Sequence, residues 1–541
     1  MTRWLSIGLV VLLAVGAVAF DRINPIDLAE AQVEASVEVN PSLSVEPRLN
    51  GSWFCATGSS NADGPADHEI VIVNLSDSPA TANISVLTAE GPVPTLRLSL
   101  APFGSETKRL DELSDSEAAG AVVEIIGGEG VVGHTVETAE GTAQGACSSQ
   151  VSDTWYFANG RTTGDAKLYL TVINPFQDSA VFDVELRVAG RPLALQRDDL
   201  QGQALMPNSA VRLDIGEFVT PEENLTMEVT TRRGQVVAER LQTLDGSSGP
   251  TGAALQLGVP KAANSWIFPA GRVHPAGSDQ MVVWNPSEEQ STTVEVGFWP
   301  VDPEDRSTYS FTAIERELPP GRFEVINLRD EVAGFGVILP YELGATVSSS
   351  DVPVVAERWH LGKEYNPIEP EPEPDEDADG EDEDADGEDE DEEGEEGEEE
   401  QPPPVDDRQY TQPTASDGLA TSRGIEVVAQ RWVVPWADVV GAQLVVTSAE
   451  AASLTIEIQA EGQLLAEPIL ESVPARGRAV IDVSINPEVA EISPNGTVTV
   501  TSIKLDSGEG DVGGEPVDIA VEFQIVDENG VLDFVPAIPT I

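Results

Sequence analysis

Apolar and polar residues alternate along much of the chain. Phe182, Val184, Leu186 and Val188 are interleaved with Asp183, Glu185 and Arg187. Val294, Val296 and Phe298 flank Glu295 and Gly297, and Leu454, Ile456 and Ile458 repeat the pattern further on. A period of two puts successive side chains on opposite faces, so these stretches predict strands with one face buried. The strands are short and bounded by Gly, Pro, Asp and Ser, the turn chemistry of a sandwich or barrel. After the first twenty residues the pattern predicts no long amphipathic helix.

The alternating stretches fall into repeating units. Trp53-Phe54-Cys55-Ala56-Thr57-Gly58 recurs as Trp155-Tyr156-Phe157-Ala158-Asn159-Gly160 and as Trp266-Ile267-Phe268-Pro269-Ala270-Gly271. The three tryptophans are 102 and 111 residues apart, the length of a seven-stranded sandwich of about 100 residues. A strand ending in Asn follows each one, at Asn74, Asn174 and Asn285, and the last two precede Pro175 and Pro286. A third echo closes each unit: Val131-Val132-Gly133-His134, Val236-Val237-Ala238-Glu239-Arg240 and Val354-Val355-Ala356-Glu357-Arg358. The tryptophans and asparagines read as core markers of the repeats rather than as ligand platforms. In each Glu-Arg pair, adjacent residues of a strand face opposite ways, so one of the two is expected in solvent.

Composition changes abruptly further along. Glu369 to Glu400 holds 23 Asp or Glu and no Lys or Arg, followed by Gln401-Pro402-Pro403-Pro404. Self-repulsion and the lack of apolar residues forbid a core, so a disordered, extended spacer is expected. Beyond it Val427-Val428-Ala429-Gln430-Arg431 resembles the closing motif of the third unit, and Trp432 opens a fourth. That unit is degenerate, with Thr447-Ser448 where Asn should stand. The expected fold class is therefore all-β: tandem β-sandwich, Ig-like repeats with an N-terminal signal or anchor helix and an acidic disordered spacer. The expected boundaries are signal peptide or anchor 1–20, linker 21–50, repeats 51–150, 151–262 and 263–363, spacer 364–418, and a degenerate fourth repeat 419–541.

Charge and cysteine content narrow the setting. There are 95 acidic against 29 basic residues, a formal net of −66, which disfavours binding to nucleic acid or to anionic lipid. Met1-Thr2-Arg3 precedes an uncharged stretch from Trp4 to Phe20, and Ala17-Val18-Ala19 has the small-x-small form of a cleavage site. A cleaved signal peptide and an uncleaved transmembrane anchor both fit, and both place the later residues outside the cytoplasmic membrane. Cys55 and Cys147 are the only cysteines, and in an exported chain they read as one disulfide.

On Trp53-Phe54-Cys55, Cys147, Trp155-Tyr156-Phe157, Asn174-Pro175-Phe176 and the Val-Val-Ala-Glu-Arg echoes, the chain resembles an actinobacterial family of exported proteins known as domain of unknown function 5719. The resemblance covers about residues 50 to 360 and, less clearly, 420 to 541. It implies a secreted or membrane-anchored ectodomain in a Gram-positive envelope. It brings no activity and no catalytic residues.

Catalytic chemistry is not visible in the motifs. His68, His134, His274 and His360 occupy different units or different repeat positions and show no metal-ligand spacing. No Gly-x-Ser-x-Gly elbow or phosphate-binding loop appears. Asp382, Asp384, Asp386, Gly387 and Glu393 match a calcium loop formally, but such matches arise by chance in an Asp/Glu/Gly tract. No catalytic, cofactor or metal site is expected. The sequence reading is a non-enzymatic envelope or extracellular repeat protein, structural or adhesive, with the spacer presenting the fourth unit away from the membrane. The alternatives are a binding module for envelope glycans or for a protein partner in their assembly, and a glycan hydrolase with a diffuse carboxylate site.

Overall fold

The structure is a computed structural model. It describes residues 50–362 and 419–540, apart from 62–63, 192–193, 196, 248, 275–276, 301–310, 340, 427, 436–441, 461–462, 465–466, 484–496, 505–515 and 527–531. The chain divides into two compact units, Met1–Asn40 and Pro41–Ile541, and every described residue belongs to the second. The expected signal or anchor, most of the linker, the acidic tract with its calcium-loop match, and the sites in it lie outside the described residues. Among the described residues no helix is long and apolar enough to cross a membrane.

The described residues are nearly all β, in eight antiparallel sheets, and one strand order recurs in pairs of sheets. The first sheet of each pair begins with the Trp strand: Asn50–Cys55, Thr154–Phe157, Ser265–Phe268 or Arg431–Val434. Its neighbours are Ala119–Ile126, Leu225–Arg233, Tyr341–Ser349 or Thr497–Lys504, and then Ala80–Thr88, Ala180–Val188, Thr292–Pro300 or Ala452–Ala460. The second sheet joins the strand that ends at the Asn position (Asp67–Asn74, Ala166–Asn174, Ser278–Trp284, Ala442–Ser448) to a closing strand (Gly130–Thr138, Val237–Asp245, Val355–Leu361, Ile519–Val526). The closing strand turns back into a return strand: Gly141–Ala146, Thr251–Leu257, Leu419–Ser422 or Leu532–Pro536.

Local chemistry explains the recurrence. Trp155, Trp266 and Trp432 are buried, and each indole N–H donates at 2.9 Å to the carbonyl that opens the closing strand: Val236, Val354 or Ile519. Trp53 is buried at the same position in the first unit. Asn74, Asn174 and Asn285 each accept a backbone N–H two residues on (Ser76, Phe176, Ser287) and donate to two or, for Asn285, three carbonyls of nearby turns. The side chain thus satisfies backbone groups where the strand leaves the sheet. Cys55 and Cys147 form a disulfide between the Trp strand and the residue after the return strand. The second and third units put Phe157 against Gly258 and Phe268 against Gly424 at that place, and a Cβ on Gly258 would fall 2.8 Å from the Phe157 ring.

The acidic tract does not join two units. Leu361 pairs with Leu419, and Arg358 with Ser422, so residues 363–418 are inserted between the closing and return strands of the third unit. In the first unit only Ala139 and Glu140 separate the paired Thr138 and Gly141. A chain whose ends are partners in one ladder leaves and re-enters the sheet roughly 5 Å apart. It therefore cannot extend the fourth unit away from the third, and residues 419–422 belong to the third unit's sheet.

The return strands of successive units lie side by side, and that of the fourth lies beside that of the first. The buried apolar residues of the first and fourth units form one continuous cluster. The four pairs of sheets accordingly close into a ring, head to tail, with the return strands around its axis. A heterologous contact that closes on itself leaves no unpartnered end. The expected row of units with a distal fourth member is corrected to this ring.

Candidate functional site

The seams between units hold most of the buried charge. Each closing strand of the second and third units is buried along both faces, over Val237–Leu244 and Val355–Leu361. One face packs against the preceding unit; the other packs within its own unit and, in the second unit, also meets the following one through Arg240 and Leu244. Glu239 and Arg240 therefore do face opposite ways, yet they are 1% and 0% exposed; Glu357 and Arg358 are 2% and 0% exposed. The expectation that one of each pair lies in solvent is corrected, because neither side of these strands is a surface.

Each glutamate reaches back to the turn after the preceding unit's Trp strand. Glu239 Oε2 accepts the Thr57 N–H at 2.8 Å, Glu357 Oε1 the Ala158 N–H at 2.7 Å, and Glu522 Oε2 the Ala270 N–H at 2.9 Å. The arginine of the same unit holds the other side of that turn. Arg240 donates to the Asn159 carbonyl, and Arg358 to that of Ala270 at 2.9 Å. Gly271 is required here, since a Cβ on it would lie 2.0 Å from the Arg358 guanidinium. The turn is clamped between a carboxylate of one unit and a cation of its neighbour.

The second oxygen of each glutamate distinguishes the seams. Glu357 Oε2 accepts from Arg240 at 3.0 Å and from the Trp359 indole at 3.0 Å, and the guanidinium lies over the Trp359 ring at 5.0 Å. Glu239 Oε1 meets His134 Nε2 at 3.0 Å, His134 standing where Arg240 and Arg358 stand in later units. His134 Nδ1 is 2.9 Å from His68 Nε2, and His68 Nδ1 is 2.9 Å from the Ala119 carbonyl. That carbonyl can only accept, so His68 carries its hydrogen on Nδ1 and accepts through Nε2. His134 Nδ1 then donates, and one proton occupies the contact between His134 Nε2 and Glu239. Burial, then the neighbouring His134, pushes His68 down to about 3 despite the Ala119 bond.

Glu522 ends the series. It lies three residues after Ile519, the acceptor of the Trp432 indole, just as Glu239 and Glu357 follow Val236 and Val354 by three. The fourth closing motif is thus Ile519-Ala520-Val521-Glu522. The stretch 427–431 instead leads into the Trp strand, where Ala429 pairs with Ile519 as Ala263 pairs with Val354. Burial raises the Glu522 carboxyl above its ordinary range, although Ser422, the Ala270 N–H, Arg358 and Arg478 all favour the ionised form. Arg358 is committed elsewhere: it binds both oxygens of Asp279, at 3.0 and 2.5 Å.

Chemically, these clusters are clamps. Glu239, His134 and His68 form a Glu–His–His chain, but none is more than 3% exposed, so no solvent-borne substrate reaches them. Among the described residues no group of three or more His, Cys, Asp or Glu is arranged to hold a metal. His274 and His360 stand apart from the other two histidines, and burial lowers the pKa of both. The Val-Val-Ala-Glu-Arg echo and the Trp-headed motif, whose turn residues Thr57, Ala158 and Ala270 are the partners, were the available signals for the clamps; nothing in their spacing joins one to the other across units.

The family model of DUF5719, a family of unknown function, matches residues 134–361. No curated protein matches the chain. Among solved structures, Thermotoga maritima 1070 is 17% identical, with 19% of this chain and 83% of that one covered and a TM-score of 0.16. An α-L-rhamnosidase of Streptomyces avermitilis, complexed with L-rhamnose, is 11% identical, with 59% and 46% covered and a TM-score of 0.12. A tetra-tandem repeat from the extending region of a large adhesion protein is 9% identical, with 90% and 99% covered and a TM-score of 0.09. None of these likenesses bears on the reading of the site.

Proposed function

We propose that this chain is a non-enzymatic, exported protein of the cell envelope, a structural or adhesive scaffold of four β-sandwich, Ig-like repeats behind a signal peptide or membrane anchor. The observation that carries the reading is where the buried charge lies. Glu239, Arg240, Glu357, Arg358 and Glu522 are all engaged in joining one unit to the next or in holding the turns between them. Breaking a buried pair costs about 3–5 kcal/mol, so such seams make a rigid mount rather than a set of mobile domains. The Cys55–Cys147 disulfide supports an oxidising exterior. The place of the acidic tract supports display, because it is inserted between the paired residues Leu361 and Leu419 of the third unit.

Fractionation with thiol trapping tests this. A tagged protein made in its own cells should be cleaved by protease added to intact cells or be found in the medium, with both cysteines resistant to alkylation until reduced. Recovery in the cytoplasm with both thiols free would sink the proposal.

A further inference from the structure

The residue just before the Asn position plugs the seams that the second and third units make with the unit before them, and in the fourth unit the plug is missing. Ile173 lies against Gly120 of the first unit, where even a Cβ would come within 2.8 Å of it. Trp284 lies edge-on to Tyr156 of the second unit, ring centroids 5.5 Å apart, with Arg187 over its ring at 6.0 Å. The fourth unit has Thr447 here, as the shared ladder positions show: Ile173 pairs with Val237, Trp284 with Val355 and Thr447 with Ala520.

A cleft of 430 Å³ opens in consequence between the third and fourth units, within the roughly 300–1,000 Å³ of small-molecule sites. Trp299 lines it from the third unit, at the ladder position that Arg187 holds in the second. Gln430, Thr447, Ser448, Glu450 and Asp518 line it from the fourth. The hydroxyl of Thr447, on the seam-facing side of its strand, is the second, independent sign of a ligand: the residue is 1% exposed and the hydroxyl has no hydrogen-bond partner. A buried hydroxyl without a partner is destabilising, a penalty that a ligand able to donate and accept would relieve.

From these walls we propose that the cleft between the third and fourth units is a binding site for a neutral saccharide unit. A pyranose offers an apolar C–H face to an indole and a rim of hydroxyls that both donate and accept. Thr447 and Gln430 supply both roles, and the Glu450 and Asp518 carboxylates accept. Among the described residues no Lys or Arg lines the cleft, and the net charge of −66 repels anions. The site stands whether or not the chain is an envelope scaffold.

Titration of the full chain with glucose, galactose, mannose and their disaccharides, followed by tryptophan fluorescence and by saturation-transfer NMR, is the test. At least one should bind with a Kd of about 1 mM or tighter. Thr447→Trp, which restores the plug found in the third unit, should weaken that binding about ten-fold or more without lowering the urea midpoint. Should Thr447→Trp fail to fold, Trp299→Ala is expected to produce the same loss. Absence of binding by every sugar overturns the proposal, as does undiminished binding by both variants. Binding of tetramethylammonium in place of the sugars would also overturn it, assigning the cleft to a cation.

Discussion

The seam between the second and third units and the seam between the third and fourth start from the same parts and end differently. Each presents a glutamate to the N–H of the preceding turn and an arginine to the following carbonyl. At the first of them Arg240 also reaches across to Glu357, completing a buried ion pair at 3.0 Å. At the other, Arg358 turns inward to Asp279. The position that decides this is Asp279 itself, because the second unit has Leu168 at the equivalent ladder position, opposite Gln242 as Asp279 is opposite His360. Without a carboxylate in its own unit, Arg240 pairs with the next; with one, Arg358 leaves Glu522 to the Ala270 N–H and Ser422. A single residue on a neighbouring strand thus chooses whether a buried charge serves the unit or the seam.

Substitution at the two glutamates should break this contrast most visibly. Glu357→Gln leaves Arg240 buried without an anion and should cost about 3–5 kcal/mol in urea unfolding. Arg240→Met added to it should cost much less than the two changes separately, because the residues share one interaction. A loss below about 1 kcal/mol for Glu357→Gln would mean that the pair does not hold the seam.

Glu522→Gln should be nearly silent, below about 1 kcal/mol, since burial already disfavours its charged form. In an Asp279→Leu background Arg358 is released, and the same Glu522→Gln change should cost about 1–3 kcal/mol. Equal effects of Glu522→Gln in the two backgrounds, read from unfolding midpoints, would refute the role given to Asp279.

A separate effect, read against pH, concerns His360, which stands in the third unit where the second has Gln242. Burial holds it down at about 4. As pH falls through its ordinary range near 6.5 the unfolded chain binds a proton that the folded ring refuses until about pH 4. Stability should therefore drop across that window by about 1.4 kcal/mol per pH unit from this group. His360→Gln should remove that contribution, and parallel pH profiles for variant and parent would exclude it.

Much of the fold was legible along the chain, because its cause is local. Alternation at Phe182, Val184, Leu186 and Val188 requires only one buried face, and all four are at most 2% exposed. The Trp and Asn markers recur because each satisfies backbone groups of its own unit, so their spacing repeats with the unit. The clamps were not legible in this way. Alternation assumes that the second face of a strand meets water, and for Val237–Asp245 and Val355–Leu361 that face meets another unit. His68 and His134 are 66 residues apart and Glu239 another 105 on, with nothing in their spacing to associate them. The fourth closing motif was hidden by Val428-Ala429-Gln430-Arg431, which imitates the echo in letters but pairs as the lead-in to Trp432.

The amino-acid sequence by itself determined the period of the strands, the markers that head and end each unit, and the two cysteines placed to be joined. Those depend on residue type and on neighbours within one unit. Only the tertiary structure decided that the units close on themselves, that the acidic tract is inserted between two paired strands of the third unit, and that the Glu-Arg echo lies in the seams. Those outcomes turn on which surfaces are left to meet after each unit has formed, and surface complementarity has no period along a chain.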